Sequence, residues 1–202
     1  FNFNAGSWIQ LGTDIEGAAA GDQSGYSISL SSDGSIVAIG SYGNNGNGSD
    51  AGHVRLFNFN AGSWTQLGSA IEGAAAGDLS GYSVSLSSDG STVAIGAQLN
   101  DGNGSNSGHV RLFNFNGTSW TQVGTDIEGE AAGDQSGYSV SLSSDGSTLA
   151  IGARMNDGNG SNSGHVRVYN VGVSPQSSPC SGCTDFLAIN YDPYSLIDDG
   201  SC

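Results

Sequence analysis

Tyr82-Ser-Val-Ser-Leu-Ser-Ser-Asp-Gly-Ser-Thr-Val-Ala-Ile-Gly-Ala97 is the stretch that decides the fold. From Tyr82 to Ser87 apolar and polar residues alternate, which is the pattern of a strand with one buried face. Ser88-Asp89-Gly90-Ser91 supplies turn chemistry and residues 92–97 return as a second apolar run, so the stretch predicts a β-hairpin. Downstream, Asn100-Asp-Gly-Asn-Gly-Ser-Asn-Ser-Gly108 is too polar to bury anything and reads as a loop. His109-Val-Arg-Leu-Phe-Asn-Phe115 alternates again, turns at Asn116-Gly117-Thr118 and returns through Trp120-Thr-Gln-Val123. The reading gives four antiparallel strands, and a linking stretch such as residues 68–80 then crosses to the next set.

A next set exists because the sequence repeats every 56 residues. Trp8, Trp64 and Trp120 fall in register, as do Tyr26, Tyr82 and Tyr138, His53, His109 and His165, and Arg55, Arg111 and Arg167. Residues 57–112 and 113–168 differ at only 11 of 56 positions, so each unit must fold alike. A period of this size marks propellers, solenoids or arrays, in which one unit cannot bury its own apolar face. Four strands and a crossover per period is the layout of a β-propeller blade. The expected fold is therefore all-β, with three propeller-like four-stranded units over residues 1–171, a linker over 172–179 and a small disulfide-stapled module over 180–202.

The ends of the repeat region raise a question of closure. The third unit stops after Tyr169-Asn-Val171 without its Trp strand, while Phe1-Asn-Phe-Asn-Ala-Gly-Ser-Trp8-Ile-Gln-Leu11 opens the chain as an orphan of the same kind. Closed propellers need typically about four to eight blades. Two arrangements are expected: a piece of a longer propeller whose true N-terminus lies upstream, or copies that complete one another by donating a terminal strand.

Ser-Gly-Tyr-Ser-Val-Ser-Leu, Asp-Gly, Val-Ala-Ile-Gly-Ala and Gly-His-Val-Arg-Leu-Phe recur in an order that resembles the FG-GAP repeats of integrin-α-type propellers. The resemblance covers roughly residues 1–171 and implies a propeller working at the cell surface or outside the cell. It departs at the turn where calcium-binding members carry several acidic or amide residues, because Asp33, Asp89 and Asp145 stand here among serines. The family's blade calcium site is accordingly expected to be absent or weak.

Composition narrows the function classes. The chain has no Lys, four Arg, 19 Asp plus Glu and a formal net charge of −15, which disfavours nucleic acid and anionic membranes as partners. No apolar run approaches the roughly 20 residues needed to span a bilayer. Absence of Lys excludes a phosphate-binding P-loop, and no Gly-x-Ser-x-Gly elbow is present, so no enzyme activity is expected.

After the linker, Cys180-Ser-Gly-Cys183 and the run to Cys202 resemble a short cysteine-bounded module appended to secreted surface proteins of microbes and algae. Three cysteines cannot all pair within one chain. The favoured bridge is Cys183 to Cys202, worth about 3 kcal/mol in the chain-entropy model, with Cys180 left for an outside partner. Zinc at Cys180-x-x-Cys183 is the rival, but a second ligand pair is lacking. Oxidised cysteines fit an extracellular setting.

Calcium is the one cofactor expected. Asp101, Asn103 and Ser105, with Asp157, Asn159 and Ser161, place oxygen ligands at the alternating positions that open an EF-hand loop, without its later Gly or acidic residue. A polar hairpin loop is the competing account. Asp192, Asp198 and Asp199, together with Asp185, could gather calcium in the tail or serve as turn residues. Asn47, Asn103, Asn116 and Asn159 open glycosylation sequons. His53, His109 and His165 are expected at strand ends beside carboxylates, and the tryptophans as strand packing. The functional expectation is an extracellular structural or adhesive repeat protein that self-associates or binds other extracellular proteins; the alternatives are an integrin-like ligand-binding propeller and a non-catalytic appendage of a larger secreted enzyme.

Overall fold

The computed structural model describes residues 2–4 and 6–172, with two further strand segments at 181–182 and 197–198. It forms two compact units, Phe1–Val171 and Gly172–Cys202. In the first, β1 (Asn2–Asn4) and β2 (Ser7–Ile9) make a hairpin. The first blade comprises β3 (Ser27–Leu30), β4 (Ile36–Ser41), β5 (His53–Asn60) and β6 (Ser63–Gln66) in spatial order, with β7 (Ile71–Glu72) also paired to β5. The second runs β8 (Ser83–Leu86), β9 (Thr92–Ala97), β10 (His109–Phe115) and β11 (Trp120–Glu128). The third has β12 (Ser136–Leu142), β13 (Thr148–Ala153) and β14 (His165–Asn170). In the second unit β15 (Ser181–Gly182) and β16 (Ile197–Asp198) pair in parallel.

The hairpin that decided the fold pairs Ser83 with Gly96 and Leu86 with Val93. Its turn closes on Asp89, whose Oδ1 accepts from Ser87 Oγ at 2.6 Å and from the Ser91 amide at 3.0 Å. Gly90 follows with φ +73°, a left-handed conformation that a side chain would strain. The blade departs from the sequence reading at its fourth strand, which continues past Val123 to Glu128. Ile127 and Glu128 pair back onto Val110 and His109 beyond a bulge between Val110 and Leu112. The start of the crossover is therefore sheet, because its isoleucine has core to fill: the equivalent Ile71 in β7 is buried.

Period-two alternation sends the two faces of each sheet to different neighbours. Ala38, Val54 and Leu56 of the first blade pack against Val84, Leu86, Val93, Ile95 and Phe113 of the second. Ala94, Val110 and Leu112 on the second blade's other face meet Leu149 and Ile151 of the third. Polar bonds repeat at both joints. Ser27 Oγ and Ser83 Oγ each donate to a carbonyl of the next blade, Gly81 O and Gly137 O, at 2.7 Å. The Leu86 and Leu142 amides reach back to Ser29 Oγ and Ser85 Oγ at 3.0 and 2.9 Å.

Candidate functional site

The joints make the outermost faces conspicuous. Val84 and Leu86 are 9% and 6% exposed, while their counterparts one period earlier, Ile28 and Leu30, are 65% and 56% exposed. At the other end Val110 and Leu112 are 0% and 3% exposed, against 67% and 66% for Val166 and Val168 one period later. Two apolar faces that fit each other inside the molecule thus stand open at its two sides. A groove of about 470 Å³ adjoins the first of them, lined by Leu11, Ile15, Leu30, Val37 and Trp64.

Three buried carboxylates tie the crossovers to the blades. Asp78 Oδ2 accepts from the Ala75 amide and from Asn100 Nδ2, both at 3.0 Å. Asp22 with Asn44 and Asp134 with Asn156 repeat the arrangement. Arg55, Arg111 and Arg167 donate to the carbonyls of Glu16, Glu72 and Glu128, clamping each blade to the crossover that enters it. Trp64 Nε1 and Trp120 Nε1 donate to Leu11 O and Leu67 O, and each indole packs on a phenylalanine, Phe59 or Phe115. Trp64 and Trp120 thus serve strand packing, whereas Trp8 in β2 is 71% exposed.

The histidines lie at the starts of the third strands, each beside a carboxylate, but the three settings differ. His53 Nδ1 is 4.0 Å from Glu72, His109 Nδ1 is 3.3 Å from Asp126 Oδ2, and His165 Nδ1 is 3.6 Å from Glu130. Burial holds the His53 and His109 imidazoles below their ordinary pKa, against the pull of the nearby carboxylates. Neither ring nitrogen of His109 has a hydrogen-bond partner, and Glu128 Oε2 is buried and unpartnered too. Among the described residues, His109, Asp126 and Glu128 are the one group of three His, Cys, Asp or Glu side chains close enough to share a metal ion.

The loop residues singled out as calcium ligands have other work. Asp101 Oδ1 accepts the Asn106 amide at 2.7 Å and Asp157 Oδ1 the Asn162 amide at 2.6 Å. Asn45 Oδ1 does the same for Asp50 at 2.8 Å in the first copy, so this loop bond does not require a carboxylate. Asn103 Nδ2 donates to Gly129 O and Glu130 O, and Asn47 Nδ2 to Gly73 O and Ala74 O, which occupies the nitrogen a glycan would take. Asn116 caps its own turn through Oδ1, accepting from Thr118 and Ser119 amides, and Asn159 is exposed in its loop with Ser161. Asp185, Asp192, Asp199, Cys180, Cys183 and Cys202 lie outside the described residues, and at Asp198 only the strand pairing is described. The buried Asp–Asn pairs and the Asp126 contact escaped the sequence reading; the recurrence of Ala-Gly-Asp at 22, 78 and 134 was the available signal for the first.

These blades and joints define a β-propeller-type repeat domain. FG-GAP repeats are found at residues 70–113 and 128–169, and the matched segments do not extend into the cysteine-bounded tail. No curated protein matches the chain. Among solved structures it is similar to hydrazine synthase of Kuenenia stuttgartiensis, at 16% identity and TM-score 0.46 over 81% of this chain and 36% of that one. It is also similar to a putative 6-phosphogluconolactonase from Bacteroides uniformis, at 15% identity and TM-score 0.48 over 71% of this chain and 35% of that one. The chain thus spans about a third of the length of these structures.

Proposed function

We propose that this chain is a non-catalytic extracellular scaffold whose blades associate from copy to copy, the outer face of the third blade seating on the outer face of the first blade of the next molecule. The observation that carries this reading is the pair of open faces, Ile28 and Leu30 on one side and Val166 and Val168 on the other, whose repeat counterparts form the buried joints. Burying four such side chains contributes about 6–12 kcal/mol. Association costs roughly 4–15 kcal/mol in lost freedom, so contact is expected to be concentration-dependent. An extracellular setting is supported by the FG-GAP repeats and by the acidic, lysine-free surface. No described helix is long and apolar enough to cross a membrane.

Sedimentation velocity of the full chain over a concentration series tests the proposal. Growth in mean mass is expected, and Val166→Asp with Val168→Asp should return the protein to single chains with an unchanged far-ultraviolet circular dichroism spectrum. A wild-type chain that stays monomeric to high micromolar concentration would overturn it, whether the open faces are then covered by further blades or by a different protein.

A further inference from the structure

We propose that His109, Asp126 and Glu128 form a binding site for a divalent transition-metal ion of the zinc type, at the bulged end of the second blade. Three lines of geometry meet there. First, β11 folds back past the bulge so that Glu128 pairs with His109 itself, and the ligand atoms of His109, Asp126 and Glu128 all lie within 4.8 Å of one another. Tetrahedral bonds of the usual zinc lengths set ligand atoms about 3.4 Å apart, close to the 3.3 Å already between His109 Nδ1 and Asp126 Oδ2. Second, His109 is 1% exposed and both its ring nitrogens lack a hydrogen-bond partner. A buried imidazole left so is costly unless something else takes its lone pair. Third, Glu128 Oε2 is itself buried and without a hydrogen-bond partner, which its first-blade counterpart Glu72 is not.

The chemistry of the donors selects the ion. One imidazole nitrogen with two carboxylates suits zinc and its neighbours, whereas calcium and magnesium prefer oxygen alone. Arg111 interacts electrostatically with His109 and Asp126, but its Nη2 is drawn to Glu72 O at 2.6 Å and its guanidinium lies over Phe113. The site belongs to one blade. Position 70 in the first blade is Ala where the second has Asp126, and His53 there faces Glu72 at 4.0 Å. His165 in the third blade faces Glu130 and Arg167 binds that same carboxylate at 2.9 Å.

Calorimetric titration of zinc into the full chain, with its cysteines alkylated, tests this. One ion per chain is expected, and cobalt in its place should give the visible absorption of a nitrogen- and oxygen-ligated centre. Asp126→Ala imposes the residue that the first blade already tolerates, so it should fold normally yet weaken zinc binding at least roughly tenfold. Glu128→Gln should do likewise, and His53→Ala should leave affinity and stoichiometry unchanged. Absence of stoichiometric binding in the wild type, or binding that neither Asp126→Ala nor Glu128→Gln weakens, would overturn the assignment.

Discussion

Asp78 shows how much one buried carboxylate carries in this chain. Its Oδ2 serves both the Ala75 amide and Asn100 Nδ2, and Asp78→Ala would take the acceptor from both, leaving the Asn100 side chain buried and without that partner. A loss of about 2–4 kcal/mol is expected, read as a lower melting temperature. Exposed Asp33 and Asp145 report differently: bonds from Ser31 and Ser143 respectively, and then from the Ser35 and Ser147 amides, hold their pKa near 2, below the ordinary 3.8. A carboxylate depressed on folding stabilises above its unfolded pKa, and that stability disappears as pH falls toward the folded one. Unfolding midpoints should therefore drop between about pH 4 and pH 2, and the double variant Asp33→Asn with Asp145→Asn should flatten that decline. The serine-flanked aspartates were legible because their partners lie two residues away. Asp126 was not, since its contact with His109 arises only when a bulge returns the crossover to the sheet.

At the scale of the element, glycine in the second strand records where one sheet ends and the next begins. A Cβ on Gly96 would meet the Gly137 carbonyl of the following blade and Ser83 Oγ at under 3.0 Å, whereas on Gly152 it would meet only Ser139 Oγ so closely. Gly96→Ala is expected to cost about 3 kcal/mol, because backbone cannot yield as a hydroxyl rotor can. Gly152→Ala should cost clearly less, and chemical denaturation of the two variants side by side measures the difference. Equal losses would mean that the approach of the next blade is not what constrains Gly96. The strands themselves were plain in the sequence, since alternation and the Ser-Asp-Gly-Ser turn are local signals. The return pairing of Ile71 and Ile127 was not, because one isoleucine followed at once by Glu and Gly gives no period to read.

For the whole molecule, charge and the open faces oppose each other. A net charge of −15 on every copy resists association, and salt screens such repulsion over about 10 Å at 0.1 M. Adding sodium chloride should therefore raise the mean mass in sedimentation; a fall would show that ion pairs, not apolar faces, hold the copies together. The three repeat units of this sequence were readable from the period, while the exposure of Ile28, Leu30, Val166 and Val168 needed the stacking order. Near-identity of the units has a further effect on how such a chain tolerates change in length. Residues 57–112 and 113–168 differ at 11 positions, and their joints use the same serines and leucine amides. Insertion or loss of one whole period only changes how many equivalent joints the molecule contains, whereas a one-residue indel inside a strand turns that strand's apolar side chains to the wrong face. Length in this architecture is quantised, and unequal crossing-over between units would be its natural source of variation.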